Sequence, residues 1–273
     1  MNVLKAIATT AGLAVLAACS SDAGKVFTAD NGPIAFVRFV NAVPDSGAGD
    51  WRFVDQIEGS PTAFGLAYRA SFPGSGYQLM AAGNRHLRVF QTSTDIQLTQ
   101  VVWFDTTFNF QAGTHYTLLA AGSLRDKTAK MYVLTDDFAD PGTQVSLRIV
   151  NAGAGSVDVY ASPTGGTSTL PTPFAAAVAN FTATKWATMA PGAASLRAFA
   201  SGSTAFPAMI DIAAPAGFAA DREKNLTAVG GVLQAGSVLT AFIYPRSVAG
   251  SKAANFTTPG IVFIVDRNPP SGF

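Results

Sequence analysis

The same ordered set of short motifs occurs twice in this chain, and that duplication constrains the fold more than any other feature. Arg38-Phe39-Val40-Asn41-Ala42 recurs as Arg148-Ile149-Val150-Asn151-Ala152. Met80-Ala81-Ala82-Gly83 with Leu87-Arg88-Val89-Phe90 recurs as Met189-Ala190-Pro191-Gly192 with Leu196-Arg197-Ala198-Phe199. Gln111-Ala112-Gly113 before Tyr116-Thr117 matches Gln234-Ala235-Gly236 before Leu239-Thr240, and Met131-Tyr132-Val133-Leu134-Thr135-Asp136 matches Ile261-Val262-Phe263-Ile264-Val265-Asp266. The offset grows from about 110 to about 130 residues along the pair. The second copy therefore carries insertions, expected within residues 206–224 and 248–259.

Each copy reads as β-structure. Val37/Phe39 and Leu147/Ile149 share one parity and Arg38 and Arg148 the other, the alternation of half-buried strands with the arginines toward solvent. Pro-Gly, Ala-Gly and Ser-Gly pairs punctuate the strands. Helical periodicity is nearly absent; residues 175–179 are read as one short helical turn. The predicted fold is all-β, with two tandem immunoglobulin-like β-sandwich domains at residues 34–140 and 143–267 and a tail at 268–273. Asp140-Pro141-Gly142 marks the joint, and so short a linker should keep the sandwiches in contact.

The N-terminal end carries a second signal. Lys5 precedes an apolar run of about a dozen residues that ends in Leu16-Ala17-Ala18-Cys19. That run is too short to span a bilayer and has the layout of a secretory signal peptide. Its last four residues resemble the lipobox of bacterial lipoproteins. The resemblance implies a signal peptide at residues 1–18, acylation of Cys19, and a tether at 19–33 leading to the first sandwich. The membrane is then a partner through the acyl chains on Cys19, and Ser20 resembles lipoproteins that move on to an outer membrane. Cys19 is the sole cysteine, so no intramolecular disulfide can form, and acylation accounts for a lone thiol in an oxidising compartment. The expected location is the cell envelope, lipid-anchored at the outer membrane or cell surface.

Arg38-Phe39-Val40-Asn41-Ala42-Val43-Pro44-Asp45 resembles the opening of the bacterial domain-of-unknown-function 4397 family. The Asp158-Val159-Tyr160 strand, the Ala82-Gly83 turn and Ala112-Gly113-Thr114-His115-Tyr116-Thr117 fit that family's later positions. The second copy lacks the Pro-Asp after Asn151-Ala152, and the first has Asp50-Trp51-Arg52-Phe53 in place of the Asp-Val-Tyr strand. The resemblance implies exported β-sandwich modules, often in tandem, without an established activity, and it carries over no catalytic residue.

Composition narrows the functional classes. Apolar residues make up 48% and include 20 Phe, enough to bury a core, while charged residues are 13%, against about 25% in typical soluble domains. The formal net charge of +1 offers no basic patch, so no nucleic-acid partner is expected. No cofactor and no metal site is expected either: zinc needs three or four converging ligands, and Cys19 is assigned to the anchor. The two histidines, His86 and His115, align with Ser195 and Val238, so both read as packing or strand-surface residues. Asp55 lies near Glu58, one of only two glutamates with Glu223, but no second carboxylate pattern marks a glycosidase cleft. Asp136, Asp137 and Asp140 read as a solvated linker, since they lack calcium-loop spacing. The recurring pairs Arg38/Arg148 and Arg88/Arg197 read as solvent-side residues pairing with nearby aspartates. Asn41 and Asn151 fall on the inward parity, where capping the next turn is their expected use. Trp51, Trp103 and Trp186 read mostly as core.

The functional expectation is a non-catalytic cell-envelope lipoprotein with a binding, adhesion or scaffolding role. Its partner would be an envelope protein or glycan, and any specific binding would map to the insertions of the second copy, unless those insertions only cover exposed sheet edges. A secreted carbohydrate-active or other hydrolytic enzyme is the alternative. An outer-membrane β-barrel is the third reading; Pro269-Pro270 before Phe273 and the absence of evenly spaced strands of about 10 residues count against it.

Overall fold

The computed structural model describes residues 32–56, 60–163, 172–205 and 208–270. The first repeat supplies β1 (Ile34–Ala42), β2 (Gly49–Phe53), β3 (Thr62–Leu66), β4 (Ser71–Phe72), β5 (Gln78–Ala81), β6 (Gly83–Gln91), β7 (Val102–Phe110), β8 (His115–Ala121) and β9 (Lys130–Thr135). The second supplies β10 (Val145–Asn151), β11 (Val157–Pro163), β12 (Ala175–Val178), β13 (Thr182–Ala183), β14 (Ala187–Met189), β15 (Ala194–Ala200), β16 (Ile210–Ala213), β17 (Val238–Tyr244) and β18 (Gly260–Arg267). The stretch expected as a helical turn is β12: its small residues pair with β11 across a bulge.

The two sets pair identically. In the first repeat one sheet runs β4-β1-β8-β9, with β5 also on β1, and the other runs β3-β2-β6-β7. In the second the orders are β13-β10-β17-β18, with β14 on β10, and β12-β11-β15-β16. Each repeat is a β-sandwich, and the chain is all-β with two such sandwiches in tandem. Parallel pairing sets Arg38 opposite Thr117 and Arg148 opposite Thr240, so Thr240 is the counterpart of Thr117. This is the register that the growing offset requires.

Val37, Phe39, Trp51, Leu87, Val89 and Leu118 fill the core of the first sandwich, and Leu147, Ile149, Val157, Leu196, Leu239 and Ala241 that of the second. A third core draws on both repeats: Val40, Ala42, Leu119 and Ala121 pack with Val150, Ala152, Phe242, Tyr244 and Ile264. The β1 and β10 sheets therefore face each other, and both of their sides are covered. That is why β10 and β17 are buried at every position. It also corrects the expected polarity of Arg38 and Arg148, which point away from their own sandwich core yet are buried against the other repeat. Contacts gather Ile34–Phe273 into one compact unit.

The insertions lie in two connections. Residues 111–114 join β7 to β8, whereas 214–237 join β16 to β17; residues 122–129 join β8 to β9, whereas 245–259 join β17 to β18. The second insertion falls where expected. The first lies later than expected, because residues 206–224 include β16 itself.

Candidate functional site

Four charged side chains are buried between the two repeats. Arg38 leaves β1 and Arg148 leaves β10 at matched positions, while Asp136 follows β9 and Asp266 ends the matching segment in β18. Each aspartate is oriented by a threonine of its own repeat: Thr117 Oγ1 donates to Asp136 Oδ2 at 2.5 Å, and Thr240 Oγ1 donates to Asp266 Oδ2 at 2.8 Å. Each threonine in turn accepts from its own arginine, Arg38 Nε at 3.1 Å and Arg148 Nε at 3.0 Å. The ion pairs then cross over. Arg38 Nη2 lies 2.7 Å from Asp266 and 3.5 Å from Asp136, and Arg148 Nη2 lies 2.5 Å from Asp136.

All four charged side chains are nearly or completely removed from solvent. Burying a lone ion costs several kcal/mol, so the arrangement persists only because two cations meet two anions and their hydrogen bonds are shared out. Burial alone would push the Arg38 guanidinium down, but Asp266, Tyr77 and Asp136 outweigh it and raise it above its ordinary value. An aromatic ring covers each guanidinium. Tyr77 lies 4.7 Å from Arg38, and Trp186, at the equivalent position, lies 4.5 Å from Arg148. Tyr77 Oη sits 2.9 Å from both Asp136 Oδ2 and Asp266 Oδ1. Burial raises its hydroxyl well above the usual phenol range, with Arg38 and Arg148 pulling it down and Asp266 and Asp136 pushing it up, so it remains protonated and shares its one proton between the two carboxylates.

His115 borders this seam within an aromatic group, stacked on Phe36 at 4.4 Å with Tyr77 at 4.8 Å and Phe138 at 5.3 Å. Burial lowers its pKa, against the pull of Asp136 and Asp266. Asp136 is thus no part of a solvated linker. Asp140 is: its Oδ1 accepts from Gly142 N in the turn and from Arg267.

The other residues singled out in the sequence are placed as follows. Asn41 Oδ1 accepts from Val43 N, and Asn151 Oδ1 accepts from Gly153 N and Ala154 N, so both cap the following turn. Arg88 pairs with Asp105 and Arg197 with Asp211 directly across neighbouring strands. His86 contacts Asp105 on the same open face as Arg88. Asp55 is held by Arg85 at 2.8 Å, whose hydrogen bond, with that from His86 N, lowers the carboxyl's pKa against a burial effect that would raise it. Trp51 is core, whereas Trp103 and Trp186 are half-buried. Glu223 is exposed, and Cys19 and Glu58 lie outside the described residues. Among the described residues no group of three or more His, Cys, Asp or Glu side chains is placed to hold a metal ion, and no helix is long and apolar enough to cross a membrane.

A cleft of about 580 Å³ opens at one end of the first sandwich, lined in part by Asp45, Gln91, Thr92, Trp103, Arg125 and Lys252. Its acidic group is occupied. Asp45 accepts from Ser123 Oγ at 2.6 Å and from the Leu124 and Arg125 backbone N–H groups at 3.1 and 2.9 Å. The 245–259 insertion forms one wall, tied to the β1–β2 turn by Val248 N donating to Pro44 O at 2.8 Å.

Sequence reasoning missed Asp136, Asp266, Thr117, Thr240 and Tyr77 as partners of the arginines. The signal was present in the duplication, where an arginine, a threonine and an aspartate recur at matched positions and their charges cancel. No curated protein matches the chain. The family model described as Domain of unknown function (DUF4397) matches residues 35–160, which run from β1 through the first sandwich and β10 to β11 and include Arg38, Asp136 and Arg148. Over those residues the chain is similar to the domain-of-unknown-function 4397 family.

Proposed function

We propose that this protein is a non-catalytic, lipid-anchored module of the bacterial cell envelope whose double sandwich presents a binding surface. The observation that carries the reading is the seam: Arg38, Arg148, Asp136 and Asp266 neutralise one another inside the protein, almost wholly out of solvent. Such groups lock two repeats together; they do not supply an acid, a base or a nucleophile to a cleft. The surface acids Asp45 and Asp105 are engaged as well, Asp45 by backbone N–H groups and Asp105 by Arg88 and His86. The anchor is supported by Leu16-Ala17-Ala18-Cys19 behind the apolar run.

The test is fractionation with fatty-acid labelling. Wild-type protein should label and sediment with membranes, and Cys19→Ala should lose both properties. Unlabelled wild-type protein retaining Met1 would contradict the anchor. Robust turnover of a panel of ester, peptide and glycoside substrates by the purified protein would contradict the non-catalytic assignment.

A further inference from the structure

The outer face of the β3-β2-β6-β7 sheet differs from its counterpart in the second repeat in a way that points to a ligand. In the first repeat the Arg52 guanidinium lies between two phenyl rings, 5.1 Å from Phe64 and 5.4 Å from Phe90. Phe64 is 69% exposed and the Arg52 side chain 47% exposed. A bulge in the β2–β3 pairing turns Ala63 and Leu66 to the core while Phe64 stands in solvent. Arg88 sits directly opposite Arg52 on β6. Two like charges in that register repel unless each is compensated.

The compensation is partial. Asp105 accepts from Arg88 Nε and also contacts His86. Asp50 Oδ1 accepts from Gly65 N at 2.8 Å and Thr92 Oγ1 at 2.6 Å, while its Oδ2 stays 3.6 Å from Arg52. Asp105 and Asp50 Oδ1 are therefore engaged, whereas the one carboxylate contact of Arg52 among the described residues is that long one, and Arg88 offers its terminal nitrogens. The face presents donors and aromatic surface, and its two carboxylates, Asp50 and Asp105, already face arginines.

The second repeat provides the internal control. It keeps the framework: Asp158 Oδ1 accepts from Ala177 N just as Asp50 accepts from Gly65 N, and Arg197 pairs with Asp211 as Arg88 pairs with Asp105. Register places Tyr160 where the first repeat has Arg52 and Ala176 where it has Phe64. Tyr160 is buried against Phe199, and the exposed ring and free guanidinium are gone. The framework alone holds the sheet, so the Arg52–Phe64 pair of the first repeat answers to something outside the fold.

We propose that this face binds an anionic polysaccharide, with Phe64 and Phe90 packing against the apolar C–H faces of sugar rings and Arg52 and Arg88 donating to carboxylate groups. This names a ligand class for the binding surface proposed above, and it rests on that reading. It places recognition on the first repeat's sheet, in contrast to the insertion loops expected from the sequence. The 245–259 insertion is instead engaged by the first repeat, through Val248 N to Pro44 O and through Arg69 to the Thr258 carbonyl.

The experiment is affinity electrophoresis of the full chain in detergent through gels containing polygalacturonate or, as the neutral probe, dextran. The wild type should be retarded by polygalacturonate and not by dextran, and added salt should weaken the retardation. Phe64→Ala, which copies Ala176 of the second repeat, and Arg52→Gln should each weaken it about tenfold. Both residues are exposed, so unchanged thermal midpoints should accompany the losses. Absence of retardation in the wild type, equal retardation by dextran, or full binding by both variants would overturn the proposal. Membrane sedimentation of the same variants separates this result from the anchor: it depends on Cys19 and should be unaffected.

Discussion

Arg38 and Arg148 show how a side chain's role depends on what covers its face. Alternation along β1 and β10 placed both arginines off their own sandwich core, and that was legible from the sequence. It could not reveal that a second sheet lies on the other side, because period-two patterning specifies a face and not its neighbour. The ion pairs that result make single substitutions costly. Arg148→Met should destabilise the protein by about 3–5 kcal/mol, since it leaves the buried Asp136 carboxylate with Arg38, at 3.5 Å, as its remaining cation. Thr117→Val should cost about 1–3 kcal/mol through the lost donor to Asp136. Chemical denaturation measures both, and a loss below 1 kcal/mol for Arg148→Met would contradict a paired seam. His115 adds a pH dependence. Burial holds its folded pKa below the ordinary histidine value of about 6.5, so the unfolded chain binds more protons as pH drops through that value and stability falls in that direction. His115→Phe keeps the stack on Phe36 and should flatten this part of the stability profile; an unchanged slope would exclude His115 as its source.

At the scale of elements, the strand pairings were legible because the repeat motifs carry the register. The exact site of the first insertion was not, because the short strand β16 has no counterpart motif to anchor it. Residues 214–237 do two separate things. Val232 is buried in the second core, and its N–H bonds to Pro215 O at 2.8 Å. The hairpin beyond it, bridged at Phe218–Val229 and Asp221–Leu226, projects exposed residues. A Cβ on Gly231 would sit 2.2 Å from the Gly217 nitrogen, so Gly231→Ala should cost about 1–3 kcal/mol. Replacing residues 219–227 by a short glycine turn should change stability by less than about 0.5 kcal/mol. Urea titration of the two variants checks the division, and equal losses would refute it. The sequence also gave no sign of the reciprocal contacts made by two left-handed residues. Arg69 (φ 65) donates to the Pro245 and Thr258 carbonyls of the second repeat, and Phe181 (φ 61) stacks on Tyr132 of the first. Arginine and phenylalanine are not among the residue types enriched in this conformation, so neither position carries a local signature.

For the whole molecule, the shared third core and the crossed ion pairs tie each sandwich to the other. Cutting the chain at the Asp140-Pro141-Gly142 turn would expose Val40, Ala42, Leu119 and Ala121 on one side and Val150, Phe242 and Tyr244 on the other, together with two arginines separated from their partners. The repeats are therefore predicted to unfold together, although the duplication taken alone suggests two independent modules. Differential scanning calorimetry of the full chain tests this most directly. A single transition whose calorimetric and van't Hoff enthalpies agree, shifted as a whole to lower temperature by Arg148→Met, is the predicted result. Two resolved transitions, with Arg148→Met moving only one of them, would contradict it.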